Sequence, residues 1–252
     1  MTAAAAGIFW LAVWQLAALW VGEPLFLPSP ADVAKTFASL LAQPAFYAAV
    51  GNSFARITLG FLLAVAAGVL LAALAARFRT AKALLAPLMS VVKATPVASF
   101  IILALILVTS ARLSTLIAFL MALPVIYTNT LTGVESIDRT MFDAANVFGM
   151  TRATRLHHIY FPEVFPYFRA ACAIALGMSW KAGVAAEVIG IASGTVGEKL
   201  YESKIYLDIP ALFSYTVAVV LISLLCEKLL SAGLRALYNA VLGYTRRNSP
   251  LR

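Results

Sequence analysis

The sequence predicts an all-α integral membrane protein of about six transmembrane helices, and three observations predict it. Of the 252 residues, 62% are hydrophobic and only 12% are charged, against about 45–50% and about 25% in soluble domains. Mean hydropathy is +0.92. The apolar residues also gather in runs close to the ~20 residues that cross a hydrocarbon core about 30 Å thick. Together these exclude an ordinary cytosolic enzyme. They equally exclude a disordered or nucleic-acid-binding chain, although the net charge is +8 and the pI about 9.7. Lipid is the expected surrounding, and basic excess in such a protein collects in cytoplasmic loops.

The first apolar run, Gly7 to Val21, has no Lys or Arg before it and so lacks the basic region of a signal peptide. Gln15 and three tryptophans, Trp10, Trp14 and Trp20, read as a short or tilted span. Next, Ser29 can cap a helix, Pro30 suits its first position, and Asp32 favours the positive end of the helix dipole. Val33, Phe37, Leu40 and Leu41 then form an amphipathic stripe. That helix is expected on the membrane surface or against the bundle, ending near Pro44.

Further spans are expected at Ile57–Ala76, Leu84–Val108, Thr115–Val134, Phe165–Ile189 and Ala211–Leu234. Pro96 and Pro124 fall inside two of them, which lipid-embedded helices tolerate where neighbours re-satisfy the freed backbone groups. Gly190 to Pro210 reads as an external stretch with a short helix, and Arg246 to Arg252 as a solvated tail. Cys172 and Cys226 lie inside apolar runs and read as small buried hydrophobes, so neither a disulfide framework nor a metal site is expected.

Charge supports the count. With both termini cytoplasmic, twelve of the 19 Lys and Arg fall inside, among them Arg77, Arg79, Lys82, Arg139, Arg152, Arg155 and Arg169. Five fall outside: Lys35, Arg56, Arg112, Lys199 and Lys204. The positive-inside rule predicts that asymmetry.

The connection from Glu135 to Val164 is more than a linker. Met141, Ala144, Ala145 and Phe148 fit one helical face, with Asp138 or Thr140 near the N-terminus and Gly149 able to turn the chain at positive φ. A second short helix is expected over Thr151 to His158, carrying Arg152, Arg155 and His158, with Pro162 closing the segment. A short helix of small residues held between two spans suits docking into another protein's groove; the alternative is a helix lying on lipid.

Three ionisable residues, Lys93, Lys181 and Glu187, fall within expected spans, where a charge costs about 2.5–3.5 kcal/mol on insertion scales. One reading lines a translocation path with Lys93, Thr95, Ser99, Trp180, Lys181 and Glu187, the lysines attracting an anion. The other is structural: Glu187 pairs with a lysine, Lys93 snorkels to the surface, and Trp180 packs between helices.

The spacing in the loop resembles that of importer permeases of ABC transporters. Their cytoplasmic loop reads Glu-Ala-Ala, three residues, Gly, nine residues, Ile, one residue, Leu-Pro. This chain has Asp143-Ala144-Ala145, three residues, Gly149, nine residues, Ile159, one residue, Phe161-Pro162. Leu27-Pro28-Ser29-Pro30, Asn52-Ser53-Phe54-Ala55-Arg56-Ile57, Ser179-Trp180-Lys181 and Ala186-Glu187-Val188-Ile189-Gly190 resemble the nitrate/sulfonate/taurine-type branch. Ser99 to Ser110 departs from that branch, being aliphatic where it carries Pro-Leu and Trp-Phe-Gly.

The resemblance covers about residues 50–237 and implies a type I importer permease fold, with one transmembrane domain spanning residues 1–252, a coupling loop at about 135–164 and a C-terminal tail at 238–252. It implies a bacterial inner membrane location and a transport subunit rather than an enzyme. The partners it implies are a second permease subunit (a homodimer), two cytosolic ATP-binding subunits and an external substrate-binding protein. Asp143, Ala144, Ala145, Phe148, Gly149, Arg152 and Arg155 would couple to the ATPase. ATP and Mg would sit on that partner, since this chain has no Gly-x-x-x-x-Gly-Lys-Ser/Thr loop and is expected to bind no cofactor.

The implied substrate is a small anion such as a sulfonate or nitrate; a thiamine precursor or other small heterocycle would fit the same chain. Other classes fit less well. Both histidines, His157 and His158, lie in the loop and no aspartate lies in a span, against an intramembrane protease. A secondary transporter driven by an ion gradient would be expected to show an internal repeat, and none is evident.

Overall fold

Helix α3 organises the bundle. Along it Gly60, Ala64, Gly68 and Ala72 recur every four residues and are all buried, a small-residue ridge that lets two backbones approach closely in lipid. The partner is α6: a Cβ at Gly60 would lie 2.9 Å from Ala118 Cβ, and one at Gly68 would lie 2.8 Å from Ile126. On its other side α6 packs along α9 through Ala171, Cys172, Ala175 and Leu176, which join Ala118, Ala122 and Ile126 in one core cluster.

The computed structural model describes the backbone of residues 3–248 and the side chains of residues 5–241. Its helices are α1 (Ala3–Val21), α2 (Pro30–Leu41), α3 (Pro44–Arg77), α4 (Arg79–Ala94), α5 (Val97–Leu107), α6 (Ser110–Glu135), α7 (Arg139–Val147), α8 (Arg152–Arg155), α9 (Phe161–Gly190), α10 (Val196–Ile205) and α11 (Ile209–Asn248). A π-helical turn, Leu156–Tyr160, joins α8 to α9.

Each expected span returns as helix, with differences. Among the described residues four helices are long and apolar enough to cross a membrane, or five spans if the bent pair α4–α5 is one. The first span is a shorter apolar helix, Ala5–Val21, tied down where Trp14 Nε1 donates to Pro28 O at 3.1 Å. The expected span Leu84–Val108 is not one helix: α4 and α5 meet at 104°. Pro96 supplies no N–H and disfavours the helical region for the residue before it, and Thr95 is extended (φ −76°, ψ 128°). Pro124, by contrast, stays inside an unbroken α6.

Helix α3 begins at Pro44, well before the expected Ile57, because no breaker intervenes and its polar residues have partners. The surface helix α2 is capped as expected, Ser29 Oγ accepting from Asp32 N at 3.2 Å. Val33 and Leu40 bury its apolar face, and Ser214 Oγ of α11 donates to Val33 O, so α2 packs on the bundle. Helix α11 continues to Asn248, well past the expected Leu234 and into the expected tail; residues 249–252 lie outside the described residues, as do the side chains of Arg246, Arg247 and Arg252.

Candidate functional site

The loop after α6 folds as a small unit of its own. Asp138 caps α7, its Oδ1 accepting from Thr140 N at 2.9 Å, and that bond holds the carboxyl below its usual range. Beneath α7 lies a separate core of Ile137, Ala145 and Ile159, with Phe142, Met150, Tyr160 and Val164 packed against it. Gly149, at φ +61°, reverses the chain. Thr151 then caps α8 by accepting from Thr154 N.

The structure divides the expected face. Ala145 is 1% exposed and points into the loop's own core, whereas Met141, Val147 and Phe148 are 41%, 84% and 77% exposed. Ala144 and Asp143 are exposed with them. The outward surface of α7 is therefore Met141, Ala144, Val147 and Phe148, and Val147 is a member that the sequence reading missed.

The expected second helix, Thr151 to His158, is not independent either. It is the start of a continuous helical run, Arg152–Gly190, with the π turn absorbing the prolines: Phe161 N reaches back five residues to Leu156 O, and Pro162 sits in the first turn of α9 instead of closing the segment. Arg155 serves the loop itself, its Nε donating to Met150 O at 3.0 Å, while Arg152 is exposed.

The path residues separate into two groups. Lys93, Thr95 and Ser99 surround the break between α4 and α5. Lys93 Nζ donates to Thr128 Oγ1 of α6 at 2.8 Å, and Thr128 Oγ1 donates in turn to Pro124 O. Lys93, Ser99 and Lys181 are exposed and Thr95 is half-buried. Non-helical backbone at membrane depth is tolerated where it is buried in protein or lines a watery cavity, which makes the polar break a candidate lining element. Thr128 was missed from sequence because a threonine inside a span usually bonds its own helix.

Trp180 and Glu187 belong elsewhere. Trp180 is 1% exposed and packs near Phe54 with ring centroids 6.3 Å apart, so it is core. Glu187 is fully buried, and its partner is not a lysine. Ser53 Oγ donates to Glu187 Oε2 at 2.6 Å, and Gly197 N approaches the same oxygen at 3.4 Å.

Ser53 Oγ also accepts from Val196 N at 2.9 Å, and Asn52 Nδ2 donates to Gly194 O at 2.8 Å. Arg56 Nη2 reaches Ser193 O at 3.4 Å. Asn52, Ser53 and Arg56, one face of α3, thus pin the turn between α9 and α10. Their spacing inside an apolar helix was the signal that could have found this knot.

Helix α10 sits hard on the end of α9: a Cβ at Gly197 would collide with Glu187 Cβ and come within 2.6 Å of its carbonyl carbon. On the outer side of α10, Lys199 Nζ donates to Glu202 Oε2 at 2.6 Å, which raises the lysine above its ordinary range.

With this geometry in place, residues 64–241 match the family described as binding-protein-dependent transport system inner membrane component. The chain belongs to that family. This permease is 30% identical over 212 residues to a probable ABC transporter permease protein of Brucella melitensis, covering 84% of this chain and 86% of that one. It is 24% identical to a putative aliphatic sulfonates transport permease protein of Bacillus subtilis (77% and 71% covered). It is 27% identical to a nitrate import permease protein of Synechocystis (79% and 76% covered).

Among solved structures, the crystal structure of an amino acid ABC transporter with histidines superposes with a TM-score of 0.63. It covers 79% of this chain and 97% of that chain at 18% identity, which establishes the shared fold. The permease is therefore a multi-pass inner-membrane transport protein of the type I importer fold. Among the described residues no group of three or more His, Cys, Asp or Glu could hold a metal.

Proposed function

We propose that this permease forms the translocation path of an ATP-driven importer for a small anion, such as a sulfonate or nitrate, and that α7 docks into a cytosolic ATP-binding subunit. The observation that carries the docking is the outward apolar surface of α7, Met141, Ala144, Val147 and Phe148, held on a helix whose opposite side is anchored by Ala145. An apolar surface of this kind on a loop outside the spans is stabilised by a partner rather than by water. Two such permeases, identical in this reading, match two ATP-binding subunits carrying ATP and Mg, with an external binding protein at the α9–α10 end and both termini cytoplasmic.

Anion chemistry is supported by Lys93 and Lys181. Both are exposed, and among the described residues the only ion pairs are Lys82–Glu135 and Lys199–Glu202, so neither lysine is neutralised by a carboxylate. The names of the sulfonate and nitrate permeases it resembles agree with that chemistry.

The test is ATP-dependent uptake into proteoliposomes holding the assembled transporter and its binding protein, with labelled taurine, an alkanesulfonate, nitrate and a thiamine precursor compared. Uptake of an anion that falls at least tenfold in Lys93→Gln, with assembly intact, is expected. Uptake of the neutral or cationic heterocycle alone would overturn the anion reading, and uptake that needs an ion gradient but no ATP would overturn the class.

A further inference from the structure

Three cations beside the groove between α9 and α11 have no part in the transport reading. Helix α11 carries no charge from Ile209 to Cys226, a run about 27 Å long at about 1.5 Å per residue, close to one hydrocarbon thickness. Lys228 therefore emerges at the membrane–water boundary opposite Asp208.

Leu221, Leu224, Lys228, Ser231 and Arg235 follow one another at spacings of three and four residues and so share one face of α11. Leu221 and Leu224 are 52% and 50% exposed, and Lys228 and Arg235 are exposed as well. One stripe thus runs from apolar, at hydrocarbon depth, to cationic, at headgroup depth.

Two cavities meet at Ser231. One, of about 290 Å³, is lined by Glu227, Lys228 and Arg235. The other, of about 390 Å³, is lined by Phe165, Ala173, Tyr238 and Arg169, the last bringing a third cation from α9. None of the three cations has a carboxylate at ion-pair distance among the described residues, and Glu227 is the single acid on the rim. Basic pockets between membrane helices suit anionic headgroups.

We propose that this groove seats an anionic phospholipid, with its phosphate held by Arg169, Lys228 and Arg235 and its acyl chains lying along Leu221 and Leu224. A soluble anion would have no use for the apolar half of the stripe, and a zwitterionic lipid would leave the excess of cations unpaired.

Native mass spectrometry of the complete transporter, loaded with equal amounts of dioleoylphosphatidylglycerol and dioleoylphosphatidylcholine, tests the site. The wild type should retain phosphatidylglycerol in preference. Combining Lys228→Ala and Arg235→Ala should lower that retention by about fivefold for each cation removed, a larger loss than for phosphatidylcholine, whose choline cation offsets its phosphate. Leu224→Gln, with every cation in place, should weaken retention of both lipids. Equal retention of the two lipids by the wild type overturns the proposal without reference to any variant's folding. Undiminished preference in the double variant overturns it as well. Displacement of phosphatidylglycerol by an equal concentration of glycerol 3-phosphate would assign the cations to a soluble anion instead.

Discussion

The two ends of this permease are built on opposite principles. At the end of α9, the chain closes on itself: Glu187, Ser53 and Thr195 are fully buried, Glu187 Oε2 accepts from Ser53 Oγ, and Gly197 lets α10 sit against the Glu187 backbone. At α7 the chain stops short. Ala145 and Ile159 make a core of only a few side chains, and the outward face leaves Val147 84% exposed and Phe148 77% exposed. A buried polar knot fixes one arrangement because breaking it strands a polar group out of water. An exposed apolar helix waits for a partner to cover it. The contrast sets a fixed turn at one end of the bundle and an exposed apolar surface at the other.

Substitutions on the two sides should therefore fail in different ways. The largest effect is expected at Gly197. Gly197→Val drives a side chain into the α9 backbone, a collision that small core adjustments cannot relieve, and should cost more than about 3 kcal/mol. Size-exclusion profiles of the detergent-extracted protein should show loss of the monodisperse species; a normal profile would mean that α10 docks loosely.

Next come two residues three positions apart, Ala145 in α7 and Phe148 at its C-cap. Phe148→Ser should lower ATP-driven uptake more than tenfold while leaving thermal stability within about 0.5 kcal/mol, as for surface positions generally. Ala145→Leu should show the reverse order of events, destabilising the loop by about 1–3 kcal/mol through overpacking and losing transport as a consequence. Thermal melts and uptake assays on the same preparations separate the two. Equal melting losses in both variants would erase the distinction between the docking face and the anchoring face.

The smallest difference is expected between two variants of Glu187. Glu187→Ala strands the Ser53 hydroxyl and should destabilise by about 1–3 kcal/mol. Glu187→Gln keeps an oxygen that accepts from Ser53 and should lose less. A Gln variant as unstable as the Ala variant would mean that the carboxyl, not its hydrogen bonds, holds the turn.

Much of this was legible in the sequence, for identifiable reasons. Long apolar runs reappear as α3, α6, α9 and α11, the last three carrying prolines that do not break them, and Ser29, Asp138 and Gly149 cap and turn the chain as their chemistry dictates. The loop spacing placed α7 between two spans. What was not legible depends on partners far away in the chain. Nothing local shows that Ser53 waits for Glu187, 134 residues on, so the sequence alone offered a lysine as its partner.

Pro96 and Pro124 look alike in sequence, yet one breaks a helix by 104° and the other does not. Pro124 is buried among α6's neighbours, whereas Pro96 lies exposed between two short helices. The split of Ala144 from Ala145 is likewise invisible to periodicity, since both fall within one broad face.

The most direct test places a photo-crosslinking phenylalanine analogue at position 148 in the assembled transporter, with a second variant carrying it at Tyr206, which is 80% exposed on the turn after α10. Position 148 should crosslink to an ATP-binding subunit, and position 206 should not. Crosslinking to that subunit from position 206, or to lipid alone from position 148, would contradict the docking of α7.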